Sequence, residues 1–292
     1  MKPAKFDYHR AANLEHACEL LSTYGDEAKI LAGGQSLIAA MNFRLARPSI
    51  LVDIGNIENP DPIVDEANGV RIQATTTQRI AEKNATVRQR MPVLANAIEH
   101  IAHFQIRNKG TVGGSIVNAD PASELPAMSL LLDAEFEIKS SSNQHSVAAE
   151  DFFITYMTTS LQPDEVLVSI LFQAPPEKSG WGFHEVTRRA GDFALVGSAA
   201  IIALDGEDRC SYARVVAFGA SATPVRITET EDELLGQSYS SALLKQAARH
   251  VRDVMDPESD VHVTEEYRRN AAEVLTVRAL EDAFARAQTA KS

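Results

Sequence analysis

Two glycine-bearing stretches constrain this chain more than anything else in it. The first, LAGGQSL at residues 31–37, carries an apolar run straight into Gly33 and Gly34, then Gln35 and Ser36, with no charge. The second, GTVGGSIVNADPASE at residues 110–124, sets Gly110, Gly113 and Gly114 beside the hydroxyls of Thr111 and Ser115 and runs on to Asn118, Asp120 and Glu124. Glycine admits positive φ and leaves open the space where a Cβ would stand. Successive N–H groups in such a turn converge on an anion, and a helix starting behind the turn adds its free amides and dipole. A tight turn without a ligand accounts equally well for the first stretch alone. The pair together fits a long ligand with a central pyrophosphate, because carboxylates beside such loops accept from ribose or ribityl hydroxyls.

The familiar nucleotide signatures are absent. There is no G-x-G-x-x-G, no G-x-x-x-x-G-K-[ST] and no G-x-S-x-G. Lys109 is the only cation at the edge of either stretch, so the pyrophosphate charge falls to backbone amides. The formal charge of −12 argues against nucleic-acid binding, which needs clustered Lys and Arg. The composition, 45% hydrophobic and 23% charged, is that of an ordinary soluble globular protein, and the length of 292 residues favours two domains over a single large one. No apolar run is long enough to span a bilayer, and MKPAKFDYHR lacks a signal core, so a cytoplasmic protein is expected. Cys18 and Cys210, the only cysteines, are too few for a zinc site or an iron–sulfur cluster.

Periodicity predicts a helix over ANLEHACELLSTYG with Leu14, Ala17, Cys18 and Leu21 on one face, closed by Gly25. Strands are expected at AKIL, SILVDIG, GVRIQATTT, EFEIKSS and DEVLVSILF. Helices are expected at QSLIAAMNFRL, from Gln78 to Ala102 with a break near Met91-Pro92, and at PASELPAMSLLLDA. QAPPEKSGWG reads as a linker. Beyond it three strands follow, WGFHEVTRR, LVGSAAIIAL and SYARVVAFGA, and from residue 228 onward the chain reads as mostly helical. The expected division is residues 1–176, with subdomains of about 1–56 and 57–176, and residues 177–292. His100 and His103 stand i, i+3 on a helix without a completing ligand and read as surface or packing residues. Arg44, Arg47, Arg107, Arg188 and Arg189 read singly as solvated charges, and Arg107 is the one among them best placed to touch a cofactor or partner.

The order LAGGQSL, QIRNKGTVGGSIVNADPASELPA, DEVLVSI and RRAGDFALV closely resembles the FAD-binding medium subunit of molybdenum hydroxylases. That family includes the flavoprotein subunits of carbon monoxide dehydrogenase, xanthine dehydrogenases and bacterial N-heterocycle dehydrogenases. The resemblance covers nearly the whole chain. It implies an α+β fold: an FAD-binding PCMH-type domain of two subdomains, as in vanillyl-alcohol oxidase and carbon monoxide dehydrogenase flavoprotein, then a C-terminal domain with a three-stranded antiparallel sheet and helices. It also implies non-covalent FAD, because Gln35 stands where a His would attach flavin.

By resemblance, Ala32, Gly33, Gly34, Gln35, Ser36 and Leu37 form one pyrophosphate loop and Thr111, Val112, Gly113, Gly114 and Ser115 the other. Asn118 and Asp120 lie beside them, and Glu124 takes the ribose or ribityl position where many relatives carry Asp. Ile101 and Leu167 would neighbour the ring systems, His184 stands near a position that is Lys in some relatives, and Asp192 and Phe193 fall where an aromatic shields the flavin. No catalytic side chain and no metal ligand is implied. Partners are implied: a small subunit with two [2Fe–2S] clusters and a large subunit with the Mo–pterin cofactor, assembled as a dimer of heterotrimers that passes electrons to an external acceptor. Two other readings stay open at this point, a free-standing FAD oxidoreductase of the same fold and a non-catalytic assembly subunit.

Overall fold

The computed structural model describes residues 2–57 and 59–291; Met1 and Ser292, the outer limits of the expected domains, lie outside the described residues. The first unit runs β1 (Asp7–Arg10), α1 (Leu14–Tyr24), β2 (Ala28–Leu31), α2 (Leu37–Asn42) and β3 (Ile50–Asp53). Its strands are parallel in the order β1-β3-β2. The central strand β3 is covered on both faces and is therefore a continuous apolar run, Ile50-Leu51-Val52. α1 begins where the Asn13 side chain accepts from the His16 N–H, and its Ala17, Cys18 and Leu21 pack on that sheet. The edge strand β1, sequence DYHR, has no apolar alternation, and pattern reading does not find it.

The second unit contains β4 (Ile63–Glu66), β5 (Gly69–Gln73), α3 (Gln78–Lys83), α4 (Ala85–Arg90), α5 (Pro92–His100), α6 (Phe104–Arg107), α7 (Val112–Asn118) and α8 (Glu124–Leu131). It continues with β6 (Glu135–Lys139), β7 (Gln144–Ala148), α9 (Ala149–Phe152), the short hairpin β8 (Phe153–Thr155) and β9 (Thr158–Thr159), and β10 (Val166–Gln173). Five strands form an antiparallel sheet, β4-β5-β10-β6-β7. α7 and α4 lie against this sheet, α5 and α8 pack on each other, and Leu94, Ile98, Leu125 and Met128 of the latter pair share one buried cluster with Ile72, Phe136 and Phe172 of the strands. The expected helical break stands: Met91 ends α4 and Pro92 opens α5, where its missing N–H costs nothing.

The third unit comprises β11 (Gly180–Thr187), β12 (Ala194–Leu204), β13 (Cys210–Phe218), β14 (Val225–Arg226), α10 (Thr228–Leu234), α11 (Ser241–Ala247), α12 (Val251–Val254) and α13 (Glu265–Lys291). The three expected strands are joined at the edge by a fourth, the two-residue β14. The glycines read as linker filler belong to β11. A Cβ on Gly180 or Gly182 would collide with the backbone oxygens of Ala283 and Ala279, so they are glycines because α13 lies directly on the strand. The apolar core does not stop between units: Phe183, Ile201 and Phe218 join Leu94, Ile98 and Phe136 in one buried cluster.

Candidate functional site

The two glycine stretches lie against each other. A Cβ on Gly33 would collide with the Lys109 carbonyl and stand 2.8 Å from the Gly110 Cα, so Gly33 is the point where one backbone crosses the other. Gly34 has φ +72, a conformation that side chains disfavour. Among the described residues no protein group accepts from the backbone N–H of Gly33, Gly34, Gln35 or Ser36. The Gln35 side chain donates to the Gly33 carbonyl at 2.9 Å and locks the turn. Unpartnered amides in a fixed turn, half-buried to exposed, are what an anion cradle requires.

The second stretch has a different structure from the one expected. Its N–H groups are already used: Val112 donates to the Thr76 carbonyl, Gly113 to the Ala74 carbonyl, Gly114 to Thr111 Oγ1 and Ser115 to the Thr111 carbonyl. Val112 and Gly113 are interior, and a Cβ on Gly113 would collide with Ala74. This stretch is therefore a wall rather than a nest. It buttresses the first loop and offers the half-buried Gly114 and the Ser115 hydroxyl, which lies 3.1 Å from the Ser123 hydroxyl.

Asn118 closes α7 next to the left-handed Ala119 and donates to Met157 Sδ at 3.6 Å. Asp120 accepts from the Ala122 N–H at 3.0 Å, and burial raises its pKa. Glu124 opens α8 at 3% exposure. Burial, followed by repulsion from Glu185, pushes its carboxyl up to about 8, so it carries a proton at neutral pH. Ile101 and Leu167 are both buried in the shared core.

The structure does not bring His184 to the loops. Strand alternation turns His184 toward α13, where its Nε2 lies 3.2 Å from Asp282 Oδ2. The neighbouring Glu185 faces the seam instead, with one carboxylate oxygen 3.1 Å from His100 Nδ1 and the other buried without a hydrogen bond. Asp192 lies 3.5 Å from Arg188 Nη2. Phe193 is 59% exposed and borders a cavity of about 640 Å³ with Tyr156, Arg188, His262 and Arg268.

Sequence reasoning missed Glu82 and misjudged Arg107. Arg107 is buried, donates to Glu82 Oε2 at 2.9 Å and to the Ile101 carbonyl at 2.7 Å, and so fixes the turn that carries Ile101. Burial alone would push the Glu82 carboxyl up; hydrogen bonds from Arg107, Lys83 and Arg79 outweigh it and hold it below the usual range. The only sequence signal was Arg107's position just before the second stretch, and a structural cation looks the same there as a ligand-binding one.

The residues present fit FAD: a strand-to-helix turn with free amides, a rigid wall against it, hydroxyl and amide groups further along, and an exposed aromatic, Phe193, bordering a cavity that Pro121 and Ala122 also line. Residues 4–173 match the family described as the FAD binding domain in molybdopterin dehydrogenase, and residues 181–283 match the CO dehydrogenase flavoprotein C-terminal domain. The chain is 38% identical to the 6-hydroxypseudooxynicotine dehydrogenase complex subunit alpha of Paenarthrobacter nicotinovorans, over 100% of this chain and 98% of that one. It is 36% identical to the caffeine dehydrogenase subunit beta of Pseudomonas sp. strain CBB1, over 96% and 95%. Its fold superposes on carbon monoxide dehydrogenase from Hydrogenophaga pseudoflava with a TM-score of 0.95 at 33% identity, covering 98% of this chain and 99% of that one. With the loop geometry, both domain matches and these end-to-end similarities in agreement, the chain belongs to the FAD-binding medium subunits of the molybdenum hydroxylase family.

Proposed function

We propose that this chain is the electron-transfer subunit of a heterotrimeric dehydrogenase, placed between a [2Fe–2S] small subunit and an external acceptor. In this reading the substrate is hydroxylated at the Mo–pterin centre of a large subunit, and two heterotrimers associate. The observation that carries the proposal is the run of unpartnered amides from Gly33 to Ser36, clamped by the second glycine stretch. FAD, when bound, supplies the ability to take electrons singly and release them in pairs.

The chain's own groups position and shield. The Ala32–Leu37 turn presents N–H donors to the pyrophosphate. Thr111, Gly114 and Ser115 face it from the wall, with Val112 and Gly113 holding that wall in place. Asn118 and Asp120 serve the ribityl or ribose hydroxyls. Glu124, protonated at neutral pH, can donate a hydrogen bond there. Ile101 and Leu167 supply apolar packing, and Phe193 covers a ring face without anchoring it. No side chain is required as acid, base or nucleophile.

Two relatives are named for compounds that contain a nitrogen heterocycle, which supports a substrate of that class for the assembled enzyme. Among the described residues no helix is long and apolar enough to cross a membrane, in keeping with a cytoplasmic site of action. The test is anaerobic mixing of the co-expressed complex with candidate heterocycles. Bleaching of flavin absorbance with one of them supports the reading. Flavin that stays oxidised with every substrate the large subunit hydroxylates would refute it.

A further inference from the structure

Electron transfer alone asks for no acid or base, but two-electron reduction of FAD also takes up a proton. Iron–sulfur clusters deliver electrons without protons. In the functional reading above, the proton therefore reaches the flavin from the protein or from solvent. Three side chains at the seam between the second and third units are arranged for that task. Glu124 opens α8 and is buried. Glu185 lies on β11 with its side chain 5% exposed. His100 ends α5, the helix that packs on both α8 and β11. The His100 ring lies against Phe183 with centroids 5.0 Å apart, and its Nδ1 is 3.1 Å from Glu185 Oε1. The His100 side chain is 40% exposed, so the set opens to solvent at this end.

The second oxygen of Glu185 is the informative atom. Oε2 is buried, and among the described residues no donor reaches it. A buried acceptor is costly to leave without a donor, so a proton belongs there. Glu124 is the group able to supply one. Burial, then repulsion by Glu185, holds it as a neutral acid; Asp120 adds to the repulsion and Arg107 opposes it. Arg107 is itself committed to Glu82 and to the Ile101 carbonyl. Ile101 follows His100 directly in the chain. The functional reading sets Ile101 against a ring of the cofactor and Glu124 against its hydroxyls. The cluster therefore stands on the turn that faces the flavin, with its outer end in solvent.

We propose that His100, Glu185 and Glu124 form a proton relay from solvent to the bound flavin. When two electrons arrive, the Glu124 hydroxyl gives its proton toward the cofactor and Glu124 is left as a carboxylate. Glu185 takes a proton from His100 at Oε1, turns about its Cγ–Cδ bond and passes that proton to Glu124. His100 recovers its proton from water. Only O–H and N–H bonds change in the chain, and the electrons come from the iron–sulfur donor. The proposal rests on the functional reading above and adds the path of the proton.

The experiment uses the purified complex with its flavin bound and two variants, His100→Ala and Glu185→Gln. The reductant is dithionite, which delivers electrons without protons and does not depend on the substrate. Flavin content should match wild type in both variants. Flavin bleaching followed by stopped flow should be at least about tenfold slower in each, and the wild-type rate should fall in heavy water. Added imidazole should restore His100→Ala and leave Glu185→Gln slow, because a small buffer can replace only the exposed end of the relay. Infrared spectra at neutral pH should show a carboxylic-acid carbonyl band that is lost in Glu124→Gln and displaced in Glu185→Gln. Wild-type bleaching rates in both variants would overturn the proposal. So would a slow His100→Ala that imidazole does not restore, which marks a packing role, or an infrared band unaltered by Glu185→Gln. A wild-type complex without flavin would overturn the functional reading itself, so the two failures are distinguishable.

Discussion

At Gly33 the constraint is a neighbouring backbone. The Lys109 carbonyl occupies the space a Cβ would need, so Gly33→Ala forces the two stretches apart. Overpacking against backbone costs about 1–3 kcal/mol, and the displaced amides should no longer converge. Gly33→Ala is therefore expected to lower thermal stability and flavin content together, read by melting and by absorbance of the purified protein. Ser36→Ala keeps the backbone and should retain flavin. Glu124 makes a different prediction. Its folded-state pKa of about 8 lies above the ordinary carboxylate value, so the native state binds the extra proton. The stability linked to this proton is present at low pH and is lost as pH rises from the unfolded pKa through about 8. Glu124→Gln should flatten that part of the melting-temperature–pH curve and raise stability above pH 8. An unchanged slope would place the proton elsewhere. Arg107→Met leaves Glu82 with Arg79 and Lys83 alone and the Ile101 carbonyl without its donor, and should cost about 1–3 kcal/mol in denaturant unfolding.

At the scale of elements, α13 and β11 show why some glycines resist reading from sequence. In GWGFHEV the glycines look like turn filler after a Pro-Pro pair, yet they make room for the backbone of a helix some hundred residues later. That contact is not local, so no local pattern encodes it. Gly182→Val is expected to destabilise the chain by more than an exposed glycine such as Gly206 would, measured by urea titration; equal effects would contradict the packing account. Elements with strong periodicity were legible: α1 with its buried Ala17, Cys18 and Leu21, the apolar β3, and the α4–α5 break at Pro92. β1, β7 and the β8–β9 hairpin were not, because polar or very short edge strands carry no alternation signal. The same limit applied to the site. Two glycine stretches announced a cradle, but only the fold separates a loop with free amides from a wall whose amides are spent. His184 and Glu185 are adjacent in sequence and face opposite sides, which only the register of β11 decides.

At the scale of the molecule, the buried cluster that joins Phe136 and Leu94 to Phe183 and Phe218 ties the FAD-binding region to the C-terminal sheet. Elements that share one buried cluster open as one cooperative unit, so calorimetry is expected to melt the second and third units in one transition; well-separated transitions for these two units would contradict it. In the proposed reading a turn of free amides, backed by a rigid wall, holds FAD without covalent attachment. The most direct test is the visible spectrum of the purified chain within its complex, with the released cofactor identified and counted after denaturation. One FAD per chain, released intact, is expected. A folded, colourless protein that takes up no added FAD would contradict it.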